Sequence, residues 1–161
     1  QWNGETLQGD AYPVYGWGAS VVEGEIDPMT YEIYTTGIWA VFDVGTALDR
    51  RVVEGQIEGG MVQGLGYANI ERLEFEDGRY VQNTMADYCI PTSLDYPSIE
   101  SDLVDNPYEY GPYGAKGAGE LVFDGAAPAF ADAVQMAVNR DIHRIPISPE
   151  HVMEVIENGD E

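Results

Sequence analysis

The feature that most constrains the fold is an apolar repeat at helical spacing across residues 50–70. The repeat consists of Val53, Ile57, Met61, Leu65 and Ala68, and its spacing predicts a helix with one buried face. The same segment carries the glycines Gly55, Gly59, Gly60, Gly64 and Gly66. Each glycine costs about 1 kcal/mol relative to alanine inside a helix, so about 5 kcal/mol must be offset. Two explanations stay open: close helix packing, or a backbone surface that a bulky cofactor touches.

Three other regions have the patterns of β-strands. Residues 15–26 and 32–44 alternate apolar and polar side chains or are rich in branched and aromatic residues, and a turn containing Pro28 separates them. This arrangement predicts a β-hairpin. A second hairpin is predicted over residues 73–82, where Asp-Gly supports the positive backbone angles of a tight turn. A short strand is predicted near residues 99–104.

Two helices are predicted in the C-terminal third of the chain. Pro128 is expected to open a helix with an apolar stripe formed by Phe130, Ala133, Val134, Ala137 and Val138. Ser148 and Pro149 are expected to cap a last helix carrying Val152, Met153 and Ile156. The fold class predicted is therefore α+β, with β-hairpins, a glycine-rich helix and C-terminal helices. Residues 1–12 are interpreted as an N-terminal arm and residues 13–161 as the domain.

Charge and cysteine content limit the possible partners. The 161 residues are 44% hydrophobic, which suffices for one ordinary core, but 29 acidic against 7 basic side chains leave a net charge of -22. Nucleic acids and anionic membranes are poor partners because they would repel this charge. Two explanations of the acidic surface stay open: it binds a basic partner surface, or it is simply solvated. The single cysteine, Cys89, cannot supply an iron–sulfur cluster, and no apolar run approaches the roughly 20 residues of a membrane helix, so a soluble protein is expected.

The segment with the most chemical information is the glycine loop at residues 110–120, YGPYGAKGAGE. Lys116 is the sole lysine of the chain, and it is interpreted either as a point charge that meets an anion or as a solvent-facing side chain. Glu120 ends the loop before apolar residues, where partial desolvation would raise its pKa and make it a better general base. His143 and His151 lack metal-spaced partners and are expected at the surface or in packing, so no metal-ligating residue is predicted.

Five segments, taken in order, resemble motifs of the molybdopterin-binding subunit of molybdenum hydroxylases, the family of xanthine dehydrogenase and aldehyde oxidase. The similar segments are GASVVE at 18–23 with Asp27 and Pro28, FDVGTAL at 42–48, VEGQIEGG at 53–60 with QGLG at 63–66, ADY at 86–88 with IPT at 90–92, and GAKGAGE at 114–120. The resemblance implies that the chain is the C-terminal portion of a molybdenum-cofactor-binding domain. Departures from the family's pattern are Phe42, Asp49, Cys89 and Leu121, where histidine, asparagine, lysine and proline are expected.

The resemblance also implies a mechanism and a set of cofactors. Glu120 would be the general base next to molybdenum in the hydroxylation of a small heteroaromatic or aldehyde substrate with water-derived oxygen. The cofactor would be molybdopterin, as a dinucleotide, with molybdenum, and the residues expected to contact it are Gln56, Lys116, Gly117, Ala118 and Gly119. Partners would be the remaining molybdopterin-binding polypeptide, an iron–sulfur subunit and an FAD subunit, and the complex is expected in the cytoplasm.

Two alternatives remain, one from another functional class and one that keeps the cofactor but changes the chemistry. The chain could be a non-catalytic acidic interaction domain of a multi-subunit complex, in which the glycine loop is vestigial. It could also belong to a reductive relative that removes a hydroxyl group from aromatic thioesters, or to a carbon monoxide oxidiser. The presence of Gln56 together with Glu120 argues against the first of these alternatives.

Overall fold

A computed structural model describes residues 3–9 and 12–158. The regular elements follow one another in the order β1 (Gly18–Ile26), β2 (Ile33–Asp43), α1 (Arg50–Asn69), β3 (Phe75–Glu76), β4 (Arg79–Tyr80), β5 (Ile99–Val104), a 3-10 turn (Pro112–Gly114), α2 (Leu121–Asp124), α3 (Ala126–Val138) and α4 (Pro149–Asn158). The predicted α+β class is confirmed. The predicted arm falls partly on residues 1, 2, 10 and 11, which lie outside the described residues, and the division between residues 12 and 13 stays a prediction.

The main sheet has three strands in the order β1-β2-β5. β1 and β2 form the predicted antiparallel hairpin, with Val22 opposite Ile38 and a bulge between Glu23 and Gly24. β5 lies at the predicted residues and pairs with β2 in parallel, a partner that no pattern in the sequence predicted. One face of the sheet, carrying Val22, Ile38, Ala40 and Phe42, joins the hydrophobic core with α1 and α3.

α1 confirms the predicted helix. Its N-terminus is capped by Asp49, whose Oδ1 accepts hydrogen bonds from the backbone N–H groups of Arg51 at 3.0 Å and Val52 at 3.4 Å. A short polar side chain at this position satisfies amides that have no partner within the helix. Asparagine, which the family's pattern has at residue 49, could accept the same hydrogen bonds. The aspartate found here therefore preserves the helix cap. Most of the predicted stripe is fully buried, namely Ile57, Met61, Leu65 and Ala68.

Three glycines of α1 permit close packing. A Cβ atom at Gly60 would lie 2.4 Å from Val122 Cγ2, and one at Gly64 would lie 2.7 Å from Ala126 Cβ. At Gly66 it would lie 2.5 Å from Pro91 Cγ. Packing therefore explains these three glycines, because any side chain would push α2, α3 or the 91 region away from the helix.

The C-terminal helices differ from the prediction in two details. α3 begins at Ala126 and is preceded by the short helix α2, so Pro128 lies in the first turn of α3 and does not open it; proline is tolerated there because the first turn has no intrahelical N–H partner to lose. α4 begins after Ser148, as predicted. Its buried stripe is His151, Val152 and Val155, and the predicted Met153 and Ile156 are exposed at its edges.

The segment Leu121–Val138 is long and apolar enough to qualify as a membrane span, with a mean hydropathy of 1.2 over 18 residues. No membrane helix was expected from the sequence. In the structure, the segment is α2 and α3, and Val122, Ala126, Phe130 and Val134 belong to the hydrophobic core. Core helices of globular domains pass the same length and composition criteria, and the buried side of this segment packs against α1 and β1.

The second hairpin is short and lies at the predicted position. β3 and β4 pair around Asp77 and Gly78, whose φ angles are 48° and 74°. Both residues are left-handed, as a two-residue turn of this kind requires. Phe75 packs against Tyr80 across the pair, with ring centroids 4.4 Å apart and the ring planes tilted by 44°.

Candidate functional site

The glycine loop is attached to the turn between β2 and α1 by backbone hydrogen bonds. The N–H of Thr46 donates to the Gly114 carbonyl oxygen at 2.9 Å, and the N–H of Lys116 donates to the Val44 carbonyl oxygen at 2.9 Å. Gly45 and Gly114 have positive φ angles of 68° and 85°. A Cβ atom at residue 45 would lie 2.3 Å from the Gly114 oxygen, so glycine is needed for the two segments to approach this closely.

Lys116 forms a buried ion pair with Asp43, the last residue of β2. Its Nζ donates to Asp43 Oδ2 at 2.7 Å, and the two side chains are 6% and 3% exposed. The same Nζ donates to the Tyr15 carbonyl oxygen at 3.2 Å. The anion that the Lys116 ammonium meets within this chain is Asp43, because the loop folds back onto the end of β2. A contact of Lys116 with the cofactor stays a prediction. Its other predicted role, fixing the loop, agrees with this geometry.

The carboxylate of Asp43 has further donors. Asn106 Nδ2 donates to Oδ2 at 2.7 Å, and the N–H of Gly45 donates to Oδ1 at 3.0 Å. Burial by itself raises the pKa of Asp43, but the hydrogen bonds from Lys116, Asn106 and Gly45 outweigh it, and the pKa lies below its ordinary value. Asp43 is therefore an anion at neutral pH despite its burial.

Glu120 lies at the end of the loop, immediately before α2. It is exposed, so the enclosure expected from the adjacent apolar residues is not provided by the described part of this chain. Those residues turn away instead, since Val122 is fully buried and packs against Gly60 of α1. The carboxylate is left at the surface, two residues before that contact.

Gln56 is exposed on α1, one helical turn before Gly60. Gly55 and Gly59 flank it, and an added Cβ atom at either would have nothing within 4 Å. The packing explanation therefore does not account for these two glycines. The helix has glycines of two kinds: those that its neighbours require, and those that leave a bare backbone surface around Gln56.

A cleft of ≈ 250 Å³ lies between the start of α1 and the glycine loop. Its lining is mainly apolar and comprises Val44, Thr46, Leu48, Asp49, Val52, Val53, Ala115, Lys116 and Ala118. Of the predicted contact residues, Ala118 and Lys116 line this cleft, while Gly117, Gly119 and Glu120 are exposed at the far end of the same loop. His143 is exposed and His151 is buried, whereas the sequence did not distinguish between surface and packing positions for the two.

Comparison with known protein families decides the identity of the chain. Residues 1–97 match the molybdopterin cofactor-binding domain family, which is more than half of the sequence. The chain belongs to this family. The resemblance drawn from its five motifs is thereby confirmed.

Curated relatives and solved structures agree with this assignment. The chain is similar to a probable xanthine dehydrogenase subunit of Bacillus subtilis, with 32% identity over 89% of this chain and 19% of the relative. It is also similar to the carbon monoxide dehydrogenase large chain of Hydrogenophaga pseudoflava, with 34% identity over 74% of this chain and 15% of the relative. These relatives are named as subunits or chains of oxidoreductases.

Among solved structures, quinoline 2-oxidoreductase of Pseudomonas putida is similar, with a TM-score of 0.78 and 37% identity over 84% of this chain and 18% of that chain. Aldehyde oxidoreductase of Desulfovibrio gigas has a TM-score of 0.80 and 30% identity over 89% of this chain and 16% of that chain. The chain thus spans less than a fifth of the length of these relatives.

The exposed residues fit a molybdopterin group. Gly55, Gly59, Gly117 and Gly119 each have open space where a side chain would lie, which allows a planar ligand to approach the backbone directly. Gln56 offers an amide donor and acceptor beside the first pair. Among residues 3–9 and 12–158, no group of three His, Cys, Asp or Glu side chains is arranged to hold a metal ion.

Sequence reasoning missed Asp43 and Asn106. Asp43 ends an apolar strand. Neighbouring side chains of a strand point to opposite faces, so a core-facing Phe42 predicts that the side chain of Asp43 is exposed. The loop that covers this face comes from residues 106–116, and no local pattern reveals that cover. The available signal was that the chain has a single lysine, whose charge would need a partner if it were buried.

Proposed function

We propose that this chain is part of a molybdenum hydroxylase that transfers a water-derived oxygen atom to a carbon of a small heteroaromatic or aldehyde substrate. The observation that carries the proposal is the position of Glu120. A loop anchored by a buried ion pair presents this carboxylate at the surface, two residues before the contact of Val122 with Gly60 of α1, the helix that also carries the exposed Gln56.

Glu120 acts as the general base. The molybdenum cofactor, when bound, supplies two-electron redox chemistry and lowers the pKa of water. The carboxylate of Glu120 accepts the proton of the attacking hydroxyl group, for which it has to lie within hydrogen-bond distance. Closure of the site by the remainder of the protein would exclude bulk water from around Glu120.

Gln56 and the backbone of residues 117–119 hold the pterin. A glutamine amide can donate and accept hydrogen bonds with the pterin ring at once. The residues Gly117, Ala118 and Gly119 have no bulky side chain, so the loop can lie flat against the ligand. The pterin is proposed to be present as a dinucleotide.

The chain works together with the remaining molybdopterin-binding polypeptide, an iron–sulfur subunit and an FAD subunit. Its single cysteine cannot hold an iron–sulfur cluster, so the electrons leave through centres outside these 161 residues. The two named relatives, a dehydrogenase subunit and a large chain, support such an assembly. The complex is proposed to be cytoplasmic.

An isotope experiment on the purified complex tests this function. The complex is incubated in ¹⁸O-labelled water with quinoline-type heteroaromatics and aldehydes, an artificial electron acceptor is supplied, and products are identified by mass spectrometry. Hydroxylated or carboxylic acid products carrying ¹⁸O from water are expected. Molybdenum-loaded complex that instead removes a hydroxyl group from an aromatic thioester under reducing conditions, or that turns over none of these substrates, would contradict the proposal.

A further inference from the structure

Three separate segments converge on the carboxylate of Asp43. Asp43 ends β2, Asn106 follows β5, and Lys116 lies in the glycine loop, and both partner side chains donate to Asp43 Oδ2 at 2.7 Å. Asp43 and Lys116 are almost completely buried. No part of the proposed proton transfer uses this cluster directly.

The cluster is an anchor for the segment that carries Glu120. Only residues 117–119 separate Lys116 from Glu120, and their small side chains leave the backbone considerable conformational freedom. On the other side, Val122 is fixed against Gly60. Glu120 therefore lies between two anchors, four residues after the ion pair and two residues before the contact with α1.

A purely stabilising role explains the pair poorly. Apolar residues of similar volume often stabilise a fold as well as a buried ion pair does, because removing two charges from water is costly. A charged pair adds a geometric requirement that apolar residues lack. The carboxylate and the ammonium must meet in one arrangement, and this arrangement specifies a single position of the loop. A general base depends on such a position, since a displacement of about 1 Å can cost about 100-fold in rate.

We propose that Asp43 is a positioning residue that acts through Lys116, together with Asn106, to hold Glu120 in place for proton abstraction. This inference rests on the proposed function. Asp43 does not touch the reacting atoms; it fixes the loop on which the base is carried.

The test compares Asp43→Asn with Val134→Ala in the complete molybdenum-loaded complex. Val134 is a buried residue of α3, so its truncation destabilises the domain without removing a contact of the loop. For each variant, molybdenum content, kcat and KM are measured. Asp43→Asn is expected to lower kcat per bound molybdenum by about 10- to 100-fold with KM nearly unchanged, because the lost interaction acts in the transition state. Val134→Ala is expected to retain the wild-type kcat per molybdenum.

Limited proteolysis supplies a second readout that does not depend on activity. Lys116 is the sole lysine of this chain, so endoprotease Lys-C has one cleavage site in it, after a side chain that is buried in the native loop. Asp43→Asn is expected to speed cleavage between residues 116 and 117 by at least about 10-fold, because cleavage follows local opening. Val134→Ala is expected to match the wild type.

The outcomes separate this inference from the proposed function. If Glu120→Gln retains full kcat, the proposed function is wrong. If Glu120→Gln is inactive while Asp43→Asn keeps the wild-type kcat per molybdenum, only the positioning role is wrong. An equal loss in Val134→Ala would also contradict it. If Asp43→Asn does not fold, Asn106→Ala decides: it keeps the ion pair and is expected to lower kcat by about 3- to 10-fold and to speed cleavage at Lys116, and unchanged values would overturn the inference.

Discussion

Gly64 of α1 and Ala126 of α3 are in contact so close that no side chain fits at residue 64. A Cβ atom there would lie 2.7 Å from Ala126 Cβ and 2.8 Å from the Phe123 carbonyl oxygen. Neither atom is the end of a flexible side chain, so the helices would have to separate. Gly59, one and a half turns earlier, has nothing within 4 Å of an added Cβ atom. Gly59 therefore serves as the control for Gly64, since both lie in the same helix and only Gly64 is in close contact.

Replacement of these two glycines by alanine is expected to have opposite effects. Gly64→Ala should lower the free energy of unfolding by roughly 1–2 kcal/mol, because overpacking costs more than the gain in helix propensity. Gly59→Ala should raise it by up to about 1 kcal/mol in the cofactor-free protein. Chemical denaturation of both variants measures this, and equal stabilisation by both would contradict the packing described for α1.

The same Gly59→Ala change is expected to impair cofactor binding. If the bare surface around Gln56 receives the pterin, a methyl group there displaces the ligand while the helix itself becomes more stable. We expect Gly55→Ala and Gly59→Ala to reduce the molybdenum and pterin content of the purified complex several-fold. Full cofactor content in both variants would show that this helix face is not in contact with the pterin.

The parts of the fold that could be predicted are those whose sequence patterns lie within a single short segment. The hairpin of β1 and β2 and the helix α1 were predictable because alternation and helical spacing record which face is buried. The parallel partner of β5 was not, because residues 44–98 separate the paired strands and no pattern in them specifies the crossover. The predicted start of α3 is two residues late, because proline favours the first helical position but here occupies the third.

The site was predictable to a different extent. The residues alone identified the glycine loop but could not single out Glu120 among 29 acidic side chains, and the role proposed for it came from the resemblance. The partner of Lys116 was not predictable, because Asp43 lies 73 residues away in sequence. A contact at that distance depends on the completed sheet and not on any local spacing.

The Asp43–Lys116 pair is expected to make stability depend on pH in the acidic range. Because the pKa of Asp43 is lowered in the folded protein, its contribution is fully present above the ordinary aspartate pKa of about 3.9 and is lost as the pH falls through the folded pKa. Asp43→Asn should cost about 3–5 kcal/mol near neutral pH, since it leaves a buried ammonium without its carboxylate. That difference from the wild type should shrink below about pH 4.

Chemical denaturation of both proteins at a series of pH values measures this difference. Asp124→Asn is the control, because Asp124 is exposed and its replacement should change stability by less than about 0.5 kcal/mol. A difference between Asp43→Asn and the wild type that stays constant down to about pH 2 would mean that the carboxylate does not carry the effect.

The most direct test of the account is the turnover of Glu120→Gln in the assembled, molybdenum-loaded complex. Glutamine keeps the size of the side chain but cannot accept the proton, so kcat per bound molybdenum should fall by about 100- to 10,000-fold. Cofactor content and unfolding temperature should stay at wild-type values, and Glu58→Gln, an exposed change on α1, should remain active. Wild-type turnover by Glu120→Gln at full molybdenum occupancy would contradict the central claim.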